Sequence, residues 1–346
     1  MKKTNNLRIL TEERAISPNE LKKEFPITEN GSLTVFNSRN IVEDILEGRD
    51  NRFLAITGPC SIHDEHAALE YAQKLNELRL KYEDRVYIIM RVYFEKPRTT
   101  IGWRGLIIDP ELDGSYNINE GLRKARRLLV KITDMGLPTA TEVLDPIIPQ
   151  YIADLMSWSA VGARTTESQT HRNMVSGLSM PVGFKNGTDG SVEKAINAIE
   201  SARNPHSFLG IDDDGQTCIL STSGNEATHL ILRGGIVGPN YYEETVEEAE
   251  DLFNNNNIHP AMIVDCSHAN SGKKHQKQFR VLRSIIEQKK RHPAIKGVMI
   301  ESNLFEGSQP ILKDISKLTY GVSITDECVG WDVTEEMIEY IWSELG

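Results

Sequence analysis

Eight short apolar, β-branched runs alternating with amphipathic stretches predict an α/β protein. The expected form is a closed (β/α)8 TIM barrel with an N-terminal extension and an inserted β-hairpin before the sixth strand. Three observations carry this. Strand and helix signals alternate as parallel strands with crossover helices do. The strand count reaches eight, which favours closure over an open doubly wound sheet. Nearly every run also ends in a residue able to bind metal or phosphate: Cys60, Arg91, Glu142, Arg164, Lys185, Arg233, His268 and Glu301. A closed parallel barrel gathers those ends on one rim.

Residues 1–50 read as the extension and 51–346 as the barrel. Ser17 is placed to cap a helix with Pro18 at its first position and Glu20 closing a capping box. Phe36, Ile41 and Ile45 predict a helix over 34–47, stopped by Gly48. The first strand is the continuous apolar run 53–58. A helix follows with Ala68, Tyr71, Leu75, Leu78 and Tyr82 on one stripe. The second strand, 86–92, leads into a long polar loop, 95–116. The next helix uses Leu122, Ala125, Leu129 and Ile132 and stops at Gly136. Strands are then expected at 138–144, 160–165, 182–185, 230–233, 262–267 and 298–302. Helices are expected at 192–202, 244–253 and 279–288. Asp212-Asp213-Asp214-Gly215 marks the turn of a hairpin over about 206–222. A last helix over 334–345 has its apolar face at Met337, Ile338 and Ile341. No low-complexity linker divides the chain.

A net charge of −11 argues against nucleic acid or an anionic membrane as partner, yet allows a local positive pocket. No apolar run reaches the roughly 18 residues of a membrane helix, and the start lacks a signal-peptide core. Cys60, Cys218, Cys266 and Cys328 lack zinc-knuckle spacing, so a cytoplasmic chain with reduced thiols is expected.

The basic set Arg91, Lys96, Arg98, Arg164, Lys185 and Arg233 lies at or just beyond strand ends. One such residue alone is more simply an ion pair in the barrel mouth. Six together, with few carboxylates nearby, point to bound anions. Glycines in Gly187-Thr188-Asp189-Gly190 and Arg233-Gly234-Gly235 would let backbone approach phosphate, although a lone glycine cluster usually means a turn. Cys60, His268 and Glu301 end strands that are neighbours around a barrel, and Asp326 follows shortly after. A thiolate, an imidazole and two carboxylates suit one divalent ion, Mn²⁺, Fe²⁺, Co²⁺ or Zn²⁺, rather than Ca²⁺. Cys60 alone reads as a buried structural cysteine. His171, His206, His229 and His292 read as surface or core histidines, Lys289-Lys290-Arg291 as a solvated helix end, and Trp103 and Trp331 as loop packing.

The chain resembles the type I DAHP (3-deoxy-D-arabino-heptulosonate 7-phosphate) synthases. The matching stretches are GPCSIHD (58–64), MRVYFEKPRTT (90–100), GARTTESQ (162–169), PVGFKNGTDG (181–190), ILRGG (231–235), SHANS (267–271) and SITDECVGW (323–331). The resemblance implies condensation of phosphoenolpyruvate with erythrose 4-phosphate, releasing phosphate. It implies a metal on Cys60, His268, Glu301 and Asp326. Phosphoenolpyruvate would lie on Arg91, Lys96, Arg164, Lys185 and Arg233, and the phosphate of erythrose 4-phosphate on Arg98 and Thr99. Lys96 is the expected proton donor to the new alkoxide, with a metal-bound water as competitor, and Glu142 the expected guide for the attacking water. The resemblance further implies a homodimer or homotetramer with an aromatic amino acid effector. Its site would join Asn5 and Asn6 of one subunit to Gln150, Ser179, Phe208 and Gly210 of another. Phenylalanine-sensitive relatives typically carry Ser at the Gly210 position, so glycine here predicts tyrosine. Two rivals remain: a 3-deoxy-octulosonate 8-phosphate synthase, against which Lys96-Pro97-Arg98-Thr99 and the extension argue, and a non-catalytic sensor, which would need no Lewis acid.

Overall fold

The computed structural model describes residues 2–346, and its centre is a closed barrel of eight parallel strands. In chain order the elements begin with α1 (Pro18–Glu24), α2 (Glu29–Glu47), β1 (Phe53–Gly58), α3 (Glu65–Tyr82), β2 (Val86–Arg91), α4 (Ile118–Asp134) and β3 (Thr139–Glu142). They continue with α5 (Pro149–Ile152), β4 (Trp158–Val161), α6 (Gln169–Val175), β5 (Val182–Lys185) and α7 (Glu193–Ala202). After the hairpin β6 (Ser207–Ile211) and β7 (Thr217–Ser221) come β8 (Thr228–Leu232), α8 (Glu243–Asn255) and β9 (Met262–Asp265). The chain ends with α9 (Gln278–Lys289), β10 (Ile295–Glu301) and α10 (Trp331–Glu344). Around the barrel the order is β1-β10-β9-β8-β5-β4-β3-β2, so the hairpin does precede the sixth barrel strand.

Every residue of the barrel strands is buried, which explains their continuous apolar character. Alternation still operates inside them. Phe53, Ala55, Val86, Ile88, Val298 and Ile300 pack outward with the helices. Leu54, Ile56, Tyr87, Ile89, Ala140, Trp158, Ile263 and Met299 form a separate cluster inside the barrel. Val42, Ile45 and Leu46 of α2 join that interior cluster, so the N-terminal extension plugs the lower mouth.

The extension is secured by its caps. Ser17 Oγ accepts from Glu20 N at 3.2 Å and Glu20 Oε2 accepts from Ser17 N at 2.8 Å, the expected capping box. Helix α1 then holds the hairpin turn: Asn19 N donates to Asp213 O at 2.7 Å, and Lys22 Nζ lies 2.8 Å from Asp213 Oδ1. Helix α2 starts at Glu29, earlier than expected, because Thr28 caps Gly31 N at 2.9 Å. Gly48 ends it at φ +77.

Four expectations need correction. The fourth barrel strand is Trp158–Val161 rather than 160–165, since the chain turns from Gly162, and Arg164 stands on that turn. Helices α5 and α6 were not expected, being too short to show a helical period. Trp331 opens α10 and meets Tyr71 edge-on at 5.4 Å, so it is a helix residue and not loop packing. Lys289 is half-buried, and burial, with Lys296 beside it, brings its pKa down to about 8, so that end of the basic run is not solvated. Among the described residues no helix is long and apolar enough to cross a membrane.

Candidate active site

Strand alternation builds the site. Two residues beyond the interior positions Ile89, Ala140, Gly183, Ile263 and Met299 come Arg91, Glu142, Lys185, Asp265 and Glu301, the last residue of each strand. The same step brings charge to the upper rim. Glycine takes that step in β1 and after β4. A Cβ on Gly58 would sit 2.9 Å from Arg91 O, and one on Gly162 would sit 2.5 Å from Glu142 Oε1.

These charges pair across the rim. Arg91 Nη2 lies 3.1 Å from Glu301 Oε1, with both side chains fully buried. Its guanidinium covers Tyr93 at 4.0 Å, while Nε and Nη1 have no hydrogen-bond partner among the described residues. Lys185 Nζ lies 3.3 Å from Glu142 Oε2 and 3.9 Å from Asp265 Oδ2. Ser267 Oγ donates to Glu301 Oε2 at 2.6 Å. Burial opposes ionisation of Glu301, but His268, Arg91 and Lys96 outweigh it and bring its pKa to about 2. Burial likewise opposes Glu142, and Lys185 with Lys96 holds it below the usual carboxylate range. For Lys96, burial disfavours the charge, yet Cys60, Glu301 and Glu142 raise its pKa. Near neutral pH Glu301 and Glu142 are therefore carboxylates and Lys96 an ammonium.

His268 is turned by its backbone, at φ +50, so that Nδ1 lies 2.8 Å from Asp265 Oδ2. Burial opposes the Asp265 charge, but His268 and Lys185 hold its pKa well below the usual range. That contact fixes the ring, with Nε2 on the side of Glu301, 3.8 Å from its Oε1.

Three of the four expected metal donors meet. One ligand atom each from Cys60, Glu301 and Asp326 lies within 4.8 Å of the others. His268 Nε2 stands beside them, 3.8 Å from Glu301 Oε1, but outside that mutual group. Lys96 Nζ donates to Cys60 Sγ and to Cys60 O, both at 3.1 Å. Burial, then Glu301, raises the Cys60 thiol pKa. A sulfur, an imidazole and two carboxylates converging at one buried rim fit a borderline divalent ion.

Above them opens a cavity of about 380 Å³. Lys96, Arg98, Thr99, Glu142, Arg164, Lys185, Arg233, His268 and Asp326 all line it. Arg164 Nη2 donates to Thr99 Oγ1 at 3.0 Å, joining two loops across the opening. The Arg233 backbone is fixed by Asn186 Oδ1 at 2.8 Å. Arg91, Cys60 and Glu301 lie beneath the wall, fully buried. Beside Lys96, burial and then Asp145 push the Glu95 carboxyl up to about 8.

Of the expected effector residues, Gln150, Phe208 and Gly210 line another cavity, of about 460 Å³, against the hairpin. Ser179 is exposed next to it, where the loop after α6 presents Gly177 and Leu178 to the cavity. Asn5 and Asn6 are exposed on the N-terminal arm of the same chain and do not line this cavity. Asp265 and Tyr93 escaped the sequence reading. Each stands two residues from an inward position, Ile263 and Arg91, and that period alone would have found them.

The family model described as the DAHP synthetase I family matches residues 24–339. The chain is 51% identical over 342 residues to the Tyr-sensitive phospho-2-dehydro-3-deoxyheptonate aldolase of Salmonella typhimurium, covering 99% of this chain and 96% of that protein. It is 49% identical over 346 residues to the Trp-sensitive enzyme of that name from Escherichia coli K12, covering 100% and 99%. The solved phospho-2-dehydro-3-deoxyheptonate aldolase of Francisella tularensis SCHU S4 matches with a TM-score of 0.96 at 50% identity, covering 97% of this chain and 98% of that one.

Proposed function

The chain belongs to the DAHP synthetase I family, and on that premise we propose that it condenses phosphoenolpyruvate with erythrose 4-phosphate and water, yielding DAHP and inorganic phosphate. One observation carries the reading: donor atoms of Cys60, Glu301 and Asp326 converge within 4.8 Å beside a cavity walled by cations.

Cys60, His268, Glu301 and Asp326 would hold a divalent metal, which when bound supplies Lewis-acid polarisation of the aldehyde. Arg91, Lys96, Arg164, Lys185 and Arg233 bind phosphoenolpyruvate through its phosphate and carboxylate. Arg98 and Thr99 take the phosphate of erythrose 4-phosphate. These cations offset the repulsion between the two phosphates and align C3 of one substrate with the aldehyde carbon of the other. Lys96 gives a proton to the oxygen that becomes alkoxide. Glu142, ionised and anchored by Lys185, orients the water that adds at C2 before phosphate leaves. The two unpartnered nitrogens of buried Arg91 support a role in anion binding.

Tyrosine is the feedback inhibitor in this reading, in keeping with the Tyr-sensitive relative. A side chain at Gly210 would press on Leu220, whose Cδ1 lies 2.5 Å from the Cβ position, so glycine keeps room for a phenolic hydroxyl. Residues 1–50 act as interface and effector arm, 51–346 as the catalytic barrel, with the hairpin at about 206–222 as its regulatory insert. A homodimer or homotetramer in the cytoplasm is the expected assembly. Exposed Leu7, Ile9 and Leu10 on the arm, with Leu209 and Ile219 on the hairpin, support a covered interface.

The test is phosphate release by metal-stripped protein, with Mn²⁺, Fe²⁺, Co²⁺ or Zn²⁺ restored in turn. Turnover should need metal, prefer erythrose 4-phosphate over arabinose 5-phosphate, and fall on adding tyrosine. Turnover on the pentose instead, or binding without turnover under every metal, would overturn the assignment.

A further inference from the structure

A second opening, of about 470 Å³, lies on the same face of the barrel. It sits between the loop after β8 and the segment running from β9 into α9. Lys273, Lys277 and Arg280 stand around it. None of the three forms an ion pair among the described residues, whereas the adjacent Lys274 is 3.8 Å from Glu327. In a chain with 50 acidic and 39 basic side chains, three uncompensated cations at one opening make a local field opposite to that of the whole.

The walls suit a small, strongly charged ligand. Gly238 and Gly272 border the opening, and a Cβ on either would meet nothing within 4 Å, so nothing fills the space beside the backbone. Tyr242, stacked on Tyr241 at 4.6 Å, closes one side. Lys273 lines this opening and the catalytic cavity alike. Its left-handed backbone, at φ +60, is tied by N–H to His268 O at 2.7 Å, which fixes it beside the catalytic rim.

We propose that this opening binds a phosphate dianion as a station next to the catalytic cavity. A monoanionic carboxylate would leave most of the three positive charges unmatched; a dianion matches them better. The phosphate could be inorganic phosphate leaving or the phosphate end of a sugar phosphate arriving. Only that traffic rests on the function proposed above; binding of inorganic phosphate does not.

The test uses full-length, metal-loaded protein and the double variant Lys277→Ala/Arg280→Ala, which leaves the catalytic groups untouched. Equilibrium dialysis with labelled inorganic phosphate should show one more phosphate bound per chain in the parent than in the variant, with kcat at saturating substrate unchanged. Equal stoichiometry in the two proteins overturns the site. If arriving substrate uses the station, kcat/KM for erythrose 4-phosphate at low salt falls at least about threefold in the variant. If departing product uses it, product inhibition by phosphate weakens by a similar factor while kcat/KM holds. If kcat/KM and product inhibition both match the parent, the role as a station is overturned, even where dialysis shows the extra phosphate.

Discussion

Glu95 keeps its proton near neutral pH because burial, then the like charge of Asp145, carries its pKa from 4.5 to about 8. The unfolded chain releases that proton near the ordinary value, so between about pH 4.5 and 8 the folded state holds one proton more. Stability from this residue is therefore complete below that window and is lost as pH rises through it, by about 1.4 kcal/mol per pH unit. Glu95→Gln should flatten that slope in urea unfolding at pH 6, 7 and 8 at one protein concentration. Identical slopes in variant and parent would remove the assignment. Asp265 acts through geometry instead. Its carboxylate accepts from His268 Nδ1 at 2.8 Å and leaves Nε2 toward the donor group. Asp265→Asn should weaken metal binding by about 10–100-fold, measured by chelator competition. Unchanged affinity would mean that His268 is no ligand. Gly162→Ala sets a Cβ 2.5 Å from Glu142 Oε1 and must displace that carboxylate from Lys185. Turnover should drop about tenfold or more while the barrel stays folded, as circular dichroism would report.

Among the elements, β6 is where the proposed effector choice would be set, through one missing side chain. Gly210 pairs with Cys218 across the hairpin, and its Cβ position points at Leu220 in the cavity against the hairpin. Gly210→Ser should weaken inhibition by tyrosine at least about tenfold and let phenylalanine inhibit, since the hydroxyl now occupies the space of the phenol. Inhibition curves with both amino acids decide it, and an unaltered tyrosine curve would move the effector elsewhere. The same scale shows what the sequence could disclose. Strands such as Phe53–Gly58 announce themselves because burial on both sides demands an unbroken apolar run. Helix α1 was legible from Ser17, Pro18 and Glu20 because its cap is a local hydrogen-bond pair. Helix α5, with four residues, completes barely one turn and leaves no period to read. The fourth strand was displaced because Ser157 and Ser159 look like loop residues until tertiary packing buries them. In the site, Cys60, Glu301 and Asp326 were found by assuming closure, whereas Asp265 was hidden behind the later His268. The φ +50 turn that aims His268 back at Asp265 has no sequence signature, because histidine there depends on tertiary contacts.

At the scale of the molecule, the candidate metal donors straddle the seam where the barrel closes. The first strand, β1, pairs with the last, β10, in a register that sets Gly58 beside Glu301. Cys60 follows β1 directly, Glu301 ends β10, and Asp326 comes from the segment between β10 and α10. An ion held by these groups links chain segments more than 200 residues apart at the one junction that no local turn connects. Without it, the Glu301 and Asp326 carboxylates face each other, with His268, Arg91 and Lys96 beside Glu301 to offset the charge. A ligand that binds only the folded state stabilises it by about 2.7 kcal/mol at a hundred times its dissociation constant. Metal should therefore raise the thermal midpoint by several degrees, roughly 2–4 °C per kcal/mol in smaller domains and less in a chain of this size. The gain should be local as well as global. Amide exchange in Phe53–Gly58 and Ile295–Glu301 should slow on loading, whereas the opposite wall at Trp158–Val161 should change little. Cys60→Ser, with a harder donor in place of sulfur, should forfeit much of both effects for Zn²⁺ and less for Mn²⁺. Protection that spreads evenly around the barrel, or a midpoint indifferent to metal, would show that the ion plays no part in closing the seam.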